Sequence, residues 1–312
     1  MRRFDGIDGL SPDLFRRPAV AIGVFDGVHR GHRHVIEELR ALADRDGGDA
    51  VVLTFDVHPR AILEGGAPTP ILSLAHRILL LERLGIDAVV VLPFDATVRD
   101  MSYERFVEDV LVARLGVRTL LFGYDTNFGR GGLGTLATVA PLAARLGFEV
   151  REAPPVAVRG RPISATRIRE AIERGDLAES SALLGRPYAL LGVVVRGDGR
   201  GRTLGFPTAN VDPGGAILPP PGVYQVVMDA KGARYAAVAN IGVRPTFPGA
   251  RPVRPLVEVH VPGVSLELYG ETIEVELVRK IRDEVRFEST DALVAQIRRD
   301  VASLGGRAPL VP

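Results

Sequence analysis

The chain contains no cysteine. That excludes a disulfide framework, a thiolate metal site and a cysteine nucleophile, and it leaves redox conditions silent about the compartment. Charge of one sign is also missing, because 39 Lys and Arg stand against 38 Asp and Glu for a net +1. The strongly basic balance of a nucleic-acid coat is therefore absent, and small anionic ligands fit better. No run of about 18 uncharged apolar residues occurs, and Met1-Arg2-Arg3-Phe4-Asp5-Gly6-Ile7-Asp8 carries no apolar signal core. Neither membrane nor nucleic acid is expected as a partner, and the cytoplasm is the expected location. What is present is a globular composition, 46% hydrophobic and 25% charged over 312 residues, long enough for two domains.

The two halves differ in period. Apolar runs at 19–24, 51–55, 88–92 and 117–122 read as buried strands. They alternate with helical patterns at 31–43, at 73–84 ending at Gly85, from Ser102 to about 114, and at 135–146 stopped by Gly147. Such alternation predicts a parallel sheet covered by helices on both faces, with ligands at the carboxyl ends of the strands. Helical segments at about 164–174 and 176–184 close this half at Gly185-Arg186-Pro187. From Ala189 the pattern changes to β-rich runs at 189–196, 222–229, 234–242, 256–261 and 272–278 between Gly/Pro turns, which predicts a small antiparallel barrel. A last helix from Thr290 presents Leu293, Val294, Ile297 and Val301 as one stripe for packing on that barrel.

Gly23-Val24-Phe25-Asp26-Gly27-Val28-His29-Arg30-Gly31-His32 follows the first buried run. Its glycines let backbone amides approach an anion, and a helix start near Gly31 adds unpaired N–H groups and a positive dipole end. His29 and His32, three apart, can then face one bound group. His58, in Thr54-Phe55-Asp56-Val57-His58-Pro59, is held extended by the following proline. Alone it reads more often as structural, and its place at a strand end favours function. Gly123-Tyr124-Asp125-Thr126-Asn127-Phe128-Gly129-Arg130-Gly131-Gly132 suits a site wall or a plain connecting loop. Ile163-Ser164-Ala165-Thr166-Arg167-Ile168-Arg169 places hydroxyls and arginines at a helix start, as a phosphate clamp or as an ordinary capped helix.

The second half has its own dense run, from Gly197-Asp198-Gly199-Arg200-Gly201-Arg202-Thr203-Leu204 through Gly205-Phe206-Pro207-Thr208-Ala209-Asn210. Thr208 and Asn210 offer two oxygen ligands at i, i+2 on one face of an extended segment, which suits a hard cation such as Mg²⁺. A glycine-rich hairpin followed by an Asn turn is the plainer alternative. In Leu256-Val257-Glu258-Val259-His260-Val261 the valines share one face and Glu258 and His260 the other. Glu258 is then either a solvent-facing carboxylate or a general base.

Taken in order, these motifs resemble bacterial bifunctional riboflavin kinase/FAD synthetase. The first half is similar to the HxGH nucleotidylyltransferases and the second to the riboflavin kinase module, over roughly residues 15–307. The resemblance implies a Rossmann-like α/β domain over 1–186 and a riboflavin kinase type β-barrel with a terminal helix over 187–312. It implies that ATP is co-substrate in both, that FMN attacks the α-phosphorus to give FAD and pyrophosphate, and that riboflavin is phosphorylated to FMN with release of ADP. His29 and His32 would stabilise charge at the α-phosphorus, and Ser164, Thr166 and Arg169 would hold the departing phosphates. Gly23, Phe25, Asp26, Gly27 and His58 would surround the nucleotide, with Asp125 and Phe128 bordering the flavin or nucleotide pocket. In the barrel, Thr208 and Asn210 would coordinate Mg²⁺ with ATP, and Glu258, inside the barrel mouth, would activate the ribityl hydroxyl. Gly199–Leu204, with Gly199 and Arg202, would be a mobile flap over the nucleotide, and Gly205 and Pro207 would also bind it. Asn240–Phe247, Leu268-Tyr269-Gly270 and Arg282–Phe287 carry further parts of the likeness.

Three positions depart from the pattern. Ala165 stands where a second serine is usual, Thr126 where an aromatic is usual, and Gly132 near a usual Arg or Lys. They leave open a riboflavin kinase whose first half is inactive, uses another acceptor or nucleotide, or senses flavin. Nothing demands association, and the resemblance implies a monomer or a weak, transient homo-oligomer.

Overall fold

The computed structural model describes residues 1–59, 66, 68–197, 199–243 and 255–304. The chain forms two compact units: Met1–Pro70 with Leu74–Ala165, and Ile71–Ser73 with Thr166–Pro312.

The first unit is built on six strands, β1 (Arg2–Asp5), β2 (Ala19–Ile22), β3 (Ala50–Phe55), β4 (Ala88–Leu92), β5 (Thr119–Phe122) and β6 (Glu149–Glu152). They pair in parallel in the order β1-β4-β3-β2-β5-β6. Every residue of β2, β3, β4 and β5 is buried, as expected where helices cover both faces. The sequence reading missed β1 and β6. These edge strands, Arg-Arg-Phe-Asp and Glu-Val-Arg-Glu, are mostly exposed and carry no apolar run.

Helix α1 (Arg30–Asp46) buries Val35, Ile36, Leu39 and Ala43 along one stripe and stops at Gly47, whose φ of 61° is left-handed. Helices α2 (Leu74–Arg83) and α3 (Leu136–Leu146) follow β3 and β5. Thr135 caps α3 in a capping box with Thr138. The helix expected from Ser102 is one α-turn, Tyr103–Arg105, continuing as a π-helical stretch over Phe106–Val112 that buries Phe106, Val107, Val110 and Leu111. A short hairpin, β7 (Ala157–Val158) with β8 (Arg161–Pro162), precedes the end of this unit.

The second unit holds helices α4 (Ala165–Glu173) and α5 (Leu177–Leu184) ahead of a closed antiparallel barrel. Its strands are β9 (Ala189–Val195), β10 (Ala209–Asp212), β11 (Gly222–Ala230), β12 (Ala233–Val243), β13 (Pro255–His260) and β14 (Thr272–Arg282). They close in the order β10-β13-β12-β11-β14-β9. Tyr224, Val226, Ala237, Ala239, Val257, Val259 and Val275 are essentially inaccessible and share the inner face by register. The buried Tyr188 hydroxyl donates to the carbonyls of Ile71 (3.0 Å) and Ile217 (2.5 Å), which anchors Ile71–Ser73 in this unit.

Helix α6 (Thr290–Ala302) presents the expected apolar stripe, half-buried, yet its one buried residue is Asp300. Arg282 donates to Asp300 at 2.8 Å and Gln296 does so at the same distance. A buried ion pair at the end of β14 thus supplements the apolar contact. Arg244–Phe247, part of the expected kinase likeness, lie outside the described residues.

Tyr224 generates a pH prediction. Its hydroxyl donates to the Pro220 carbonyl. Burial, assisted by the Asp283 charge, pushes the phenol up to about 12. A raised folded-state pKa stabilises the fold below the unfolded value near 10, and that stability is lost as pH rises through about 12. Thermal melts across pH 9–12 are therefore expected to show the parent losing stability faster than Tyr224→Phe, so that the advantage of the parent shrinks.

Candidate active sites

The first site grows from sheet topology. Strands β2 and β5 are neighbours, Ala19 pairing Thr119 and Ala21 pairing Leu121, and the chain winds outward from them in both directions. Loops leaving their carboxyl ends flank a topological switch point, where open parallel sheets bind ligands. Those loops are Gly23–His32 and Gly123–Gly132. The His58 loop leaves β3, on the other side of β2.

The Gly23–His32 turn is strained. Phe25 and Val28 have φ of 52° and 39°, and Gly27 has 82°. A β-branched residue rarely adopts such a φ. A side chain at Gly23 would meet the Phe25 ring at 3.1 Å, so glycine there lets that ring fold back. Phe25 in turn packs edge-on against His32, with centroids 5.2 Å apart. His29 caps α1, its Nδ1 accepting from the His32 amide at 3.3 Å. In a neutral ring that leaves the proton on Nε2. The two imidazoles stack with centroids 3.6 Å apart and 16° between planes. The three-residue spacing thus brings both rings to one place at a helix N-terminus, as expected from the sequence. Asp26 and His29 are both buried.

The sequence reading passed over Arg77, which lies on the buried face of α2 one turn before Leu81. An arginine on an apolar helical stripe was the available signal. Its Nη1 donates to the Val24 carbonyl at 2.6 Å and its Nη2 to the Phe55 carbonyl. Burial pushes the guanidinium down, and the Asp26 and Asp56 carboxylates oppose that shift. Thr54 Oγ1 donates to the same Val24 carbonyl at 3.2 Å.

The Gly123–Gly132 loop corrects one expectation. Phe128 faces the core: its ring is buried against Phe106 and Phe122, with centroids at 5.1 and 5.8 Å. A ring this size gains more from the core than from a loop surface. Asp125 and Tyr124 are exposed in the same loop. Two of the departures have local reasons. Thr126 Oγ1 accepts from the Gly123 amide at 3.1 Å, pinning the turn. Gly132 has φ of 68°, and a side chain there would meet Asn127 Oδ1 at 2.9 Å.

Ser164 and Thr166 are exposed at the start of α4, and Arg169 is buried one turn on. Arg167 pairs with Glu179 of α5, so it is a structural arginine. Thr166 and Arg169 belong to the second compact unit, Ser164 to the first.

The second site lies on the barrel wall. Register places Asn210 opposite Glu258, and Glu258 opposite Asn240. Their neighbours Val211, Val257, Val259 and Ala239 point inward, so alternation puts the polar row on the outer face. Glu258 is therefore not inside the barrel mouth. Asn240 Nδ2 donates to Glu284 Oε1 at 3.3 Å, an approach that a side chain at Gly242 would block, since its Cβ would lie 2.3 Å from that oxygen. Asn240 and Glu284 lie in two segments of the expected kinase likeness, Asn240–Phe247 and Arg282–Phe287, to whose residues the sequence assigned no role.

Gly197 backs onto the Asn210 amide and Gly201 onto the Phe206 carbonyl, each too close for a side chain. His260 Nδ1 lies 2.8 Å from the Pro207 carbonyl, and its ring packs edge-on to Phe206. These contacts seat the glycine-rich segment, with Arg202, Gly205, Pro207 and the left-handed Gly199 (φ 71°) exposed. A cavity of about 270 Å³ opens beside it, lined by Arg202, Thr208, Met228, Val259, Leu266 and Leu268 among others. Asn210 Oδ1 is buried and has no hydrogen-bond partner among the described residues. A buried acceptor left over beside a threonine hydroxyl fits a hard cation. Among the described residues no cluster of three or more His, Asp or Glu could hold a metal by itself, so the remaining ligands would come from ATP phosphates and water.

Comparison with known proteins agrees on both halves. The family model described as FAD synthetase matches residues 12–167, and the one described as riboflavin kinase matches 184–305. The chain is 40% identical over 285 residues to the bifunctional riboflavin kinase/FMN adenylyltransferase of Haemophilus influenzae, covering 91% of this chain and 92% of that one. It is 37% identical over 302 residues to the Escherichia coli K12 protein of the same name, covering 96% of each. A crystal structure titled as a macrolide-efflux protein of Streptococcus pneumoniae superposes with a TM-score of 0.82 at 30% identity, over 99% of this chain and 100% of that one. Among the described residues of the present chain no helix is long and apolar enough to cross a membrane. The chain belongs to the bifunctional riboflavin kinase/FMN adenylyltransferase family.

Proposed function

We propose that residues 1–186 transfer the adenylyl group of ATP to FMN and that residues 187–312 transfer the γ-phosphoryl group of ATP to riboflavin. The stacked His29 and His32 at a helix start, beside the switch point of the sheet, carry this reading for the first reaction. An FMN phosphate oxygen attacks the α-phosphorus, the bond to the bridging oxygen breaks, and pyrophosphate leaves. No covalent enzyme intermediate is needed. The first-turn amides of α1 and the imidazoles of His29 and His32 supply preorganised hydrogen-bond donors where negative charge develops. Ser164, in the same compact unit, holds the departing phosphates, and Asp125 contacts flavin or nucleotide.

In the barrel, Glu258 accepts the proton of the ribityl terminal hydroxyl as its oxygen attacks the γ-phosphorus and ADP departs. Thr208 and Asn210 would hold Mg²⁺ with ATP; when bound, the ion neutralises phosphate charge. The cavity lined by Thr208 and Arg202 together with Val259, Leu266 and Leu268 offers apolar surface for the ATP nucleoside and a cation for its phosphates. Asn240, held by Glu284, orients the acceptor hydroxyl next to Glu258.

Separate incubations with riboflavin and with FMN, each with Mg·ATP and resolved by chromatography, distinguish the two sites. Glu258→Gln is expected to slow FMN formation at least about 100-fold, with FAD formation from FMN within about twofold of the parent. His29→Ala is expected to do the reverse, at a loss of about 100-fold or more. Loss of both activities in either variant, or of neither, contradicts the assignment.

Asn210→Ala is expected to raise the free Mg²⁺ needed for half-maximal riboflavin phosphorylation, with the Mg²⁺ dependence of adenylylation unchanged. An unaltered Mg²⁺ curve for the kinase would remove Asn210 from the ligand set.

A further inference from the structure

We propose that Arg77 is a positioning residue of the adenylyl-transfer site, a buried cation that fixes the Gly23–His32 turn and the His58 loop in one mutual arrangement. The inference rests on the reading that His29 and His32 serve that reaction, and it adds a residue that touches neither reactant.

Three observations within the first unit converge on it. The Val24 carbonyl is the last backbone group before Phe25, the first left-handed residue of the turn, and Arg77 Nη1 donates to it at 2.6 Å. The other guanidinium arm donates to the Phe55 carbonyl, at the end of β3. From there Asp56, Val57 and His58 follow, with Asp56 Oδ1 accepting from the Phe94 amide at 3.0 Å. One planar fork thus joins the carboxyl ends of two adjacent strands at the point where each becomes a functional loop. The charges facing the guanidinium are Asp26, inside the turn, and Asp56, at the root of the second loop. Both carboxylates lie in the two loops it joins.

Strain explains why such a clamp is needed. A turn with left-handed Phe25 and Val28 persists only where its surroundings over-determine it. Restraints on the turn include the Val28 amide to the Phe25 carbonyl at 3.1 Å, the Gly23 amide to the Leu53 carbonyl at 3.1 Å, and the two side-chain donors onto the Val24 carbonyl. Leu53 and Thr54 also tie the turn to β3, and of these groups only Arg77 is charged and holds the Phe55 carbonyl as well, where the His58 loop begins. Thr54 can hold the Val24 carbonyl but has no second arm. Without Arg77 the rings of His29 and His32 keep their stacking partner but lose their fixed height over the strand ends. Their alignment with a bound phosphate then drifts, which weakens transition-state contacts more than ground-state binding.

The test uses the full chain with Arg77→Met, Arg77→Lys and, as reference, His29→Ala. FMN adenylylation is measured for kcat and for the KM of ATP, with riboflavin phosphorylation and a circular dichroism melt in the same preparations. Expected is a fall in kcat of roughly 10- to 100-fold for Arg77→Met, with the KM of ATP changing less than about threefold. Arg77→Lys keeps the cation and one carbonyl contact and is expected to lie between the parent and Arg77→Met. Riboflavin phosphorylation stays at the parental rate throughout.

A parental kcat in both Arg77 variants while His29→Ala is inactive overturns the positioning role alone. Full adenylylation in His29→Ala overturns the underlying site reading. If Arg77→Met melts early, Arg77→Lys decides: folded with parental kcat, or unfolded like Arg77→Met, it makes Arg77 a structural residue and overturns the proposal.

Discussion

Phe25 and Val28 hold left-handed backbone angles at the end of β2, and conformations of that kind cost about 1–3 kcal/mol each. The first site depends on that turn, because it delivers His29 to the start of α1 as a cap and sets His32 face to face with it. Glycine makes the turn possible at Gly23 and Gly27, through space in one case and a positive φ in the other. Arg77 and Thr54 then hold its first carbonyl from beneath. The strain is offset by the parallel sheet, whose central strands are buried on both faces and cannot yield without opening the core.

The barrel solves a different problem with a different constraint. A small closed barrel fills most of its interior with side chains, and the cavity beside Thr208 and Arg202 reaches the inward-facing Met228 and Val259 among them. The alternation that buries Val257, Val259 and Val211 sends Glu258 and Asn210 outward together. Neighbouring strands place them opposite each other, and the glycine-rich segment packs against Asn210 through the absent side chain of Gly197. The polar row on the wall and the cavity beside Thr208 are thus consequences of pleat and register, while the glycines determine how closely the covering segment can approach.

Much of this was legible in the sequence, for physical reasons that differ by element. The apolar runs of β2 to β5 announce strands buried on both faces, and the switch of period at Ala189 announces the barrel. The edge strands β1 and β6 were not legible, since Arg2-Arg3-Phe4-Asp5 and Glu149–Glu152 pack too little to need apolar residues. The HxGH spacing foretold the shared location of the two rings. It could not show Phe128 turning into the core, because a phenylalanine in a glycine-rich loop reads equally well as a surface for flavin. The inside or outside of the barrel was likewise hidden at Glu258. Alternation gives two faces, and only closure of the sheet decides which is interior. Arg77 and Asp300 escaped because a charged residue on a helix is ordinarily solvated, and both are buried here by partners distant in sequence, Val24 with Phe55 and Arg282.

Two chemistries on one chain make the order of flavin products the most direct observable. The purified chain incubated with Mg·ATP and riboflavin, sampled over time and resolved by chromatography, is predicted to show FMN rising first and FAD following at its expense. A parallel reaction started from FMN is predicted to give FAD without delay. Accumulation of FMN in the first reaction with no FAD in either would contradict the account of the first site and leave a riboflavin kinase alone.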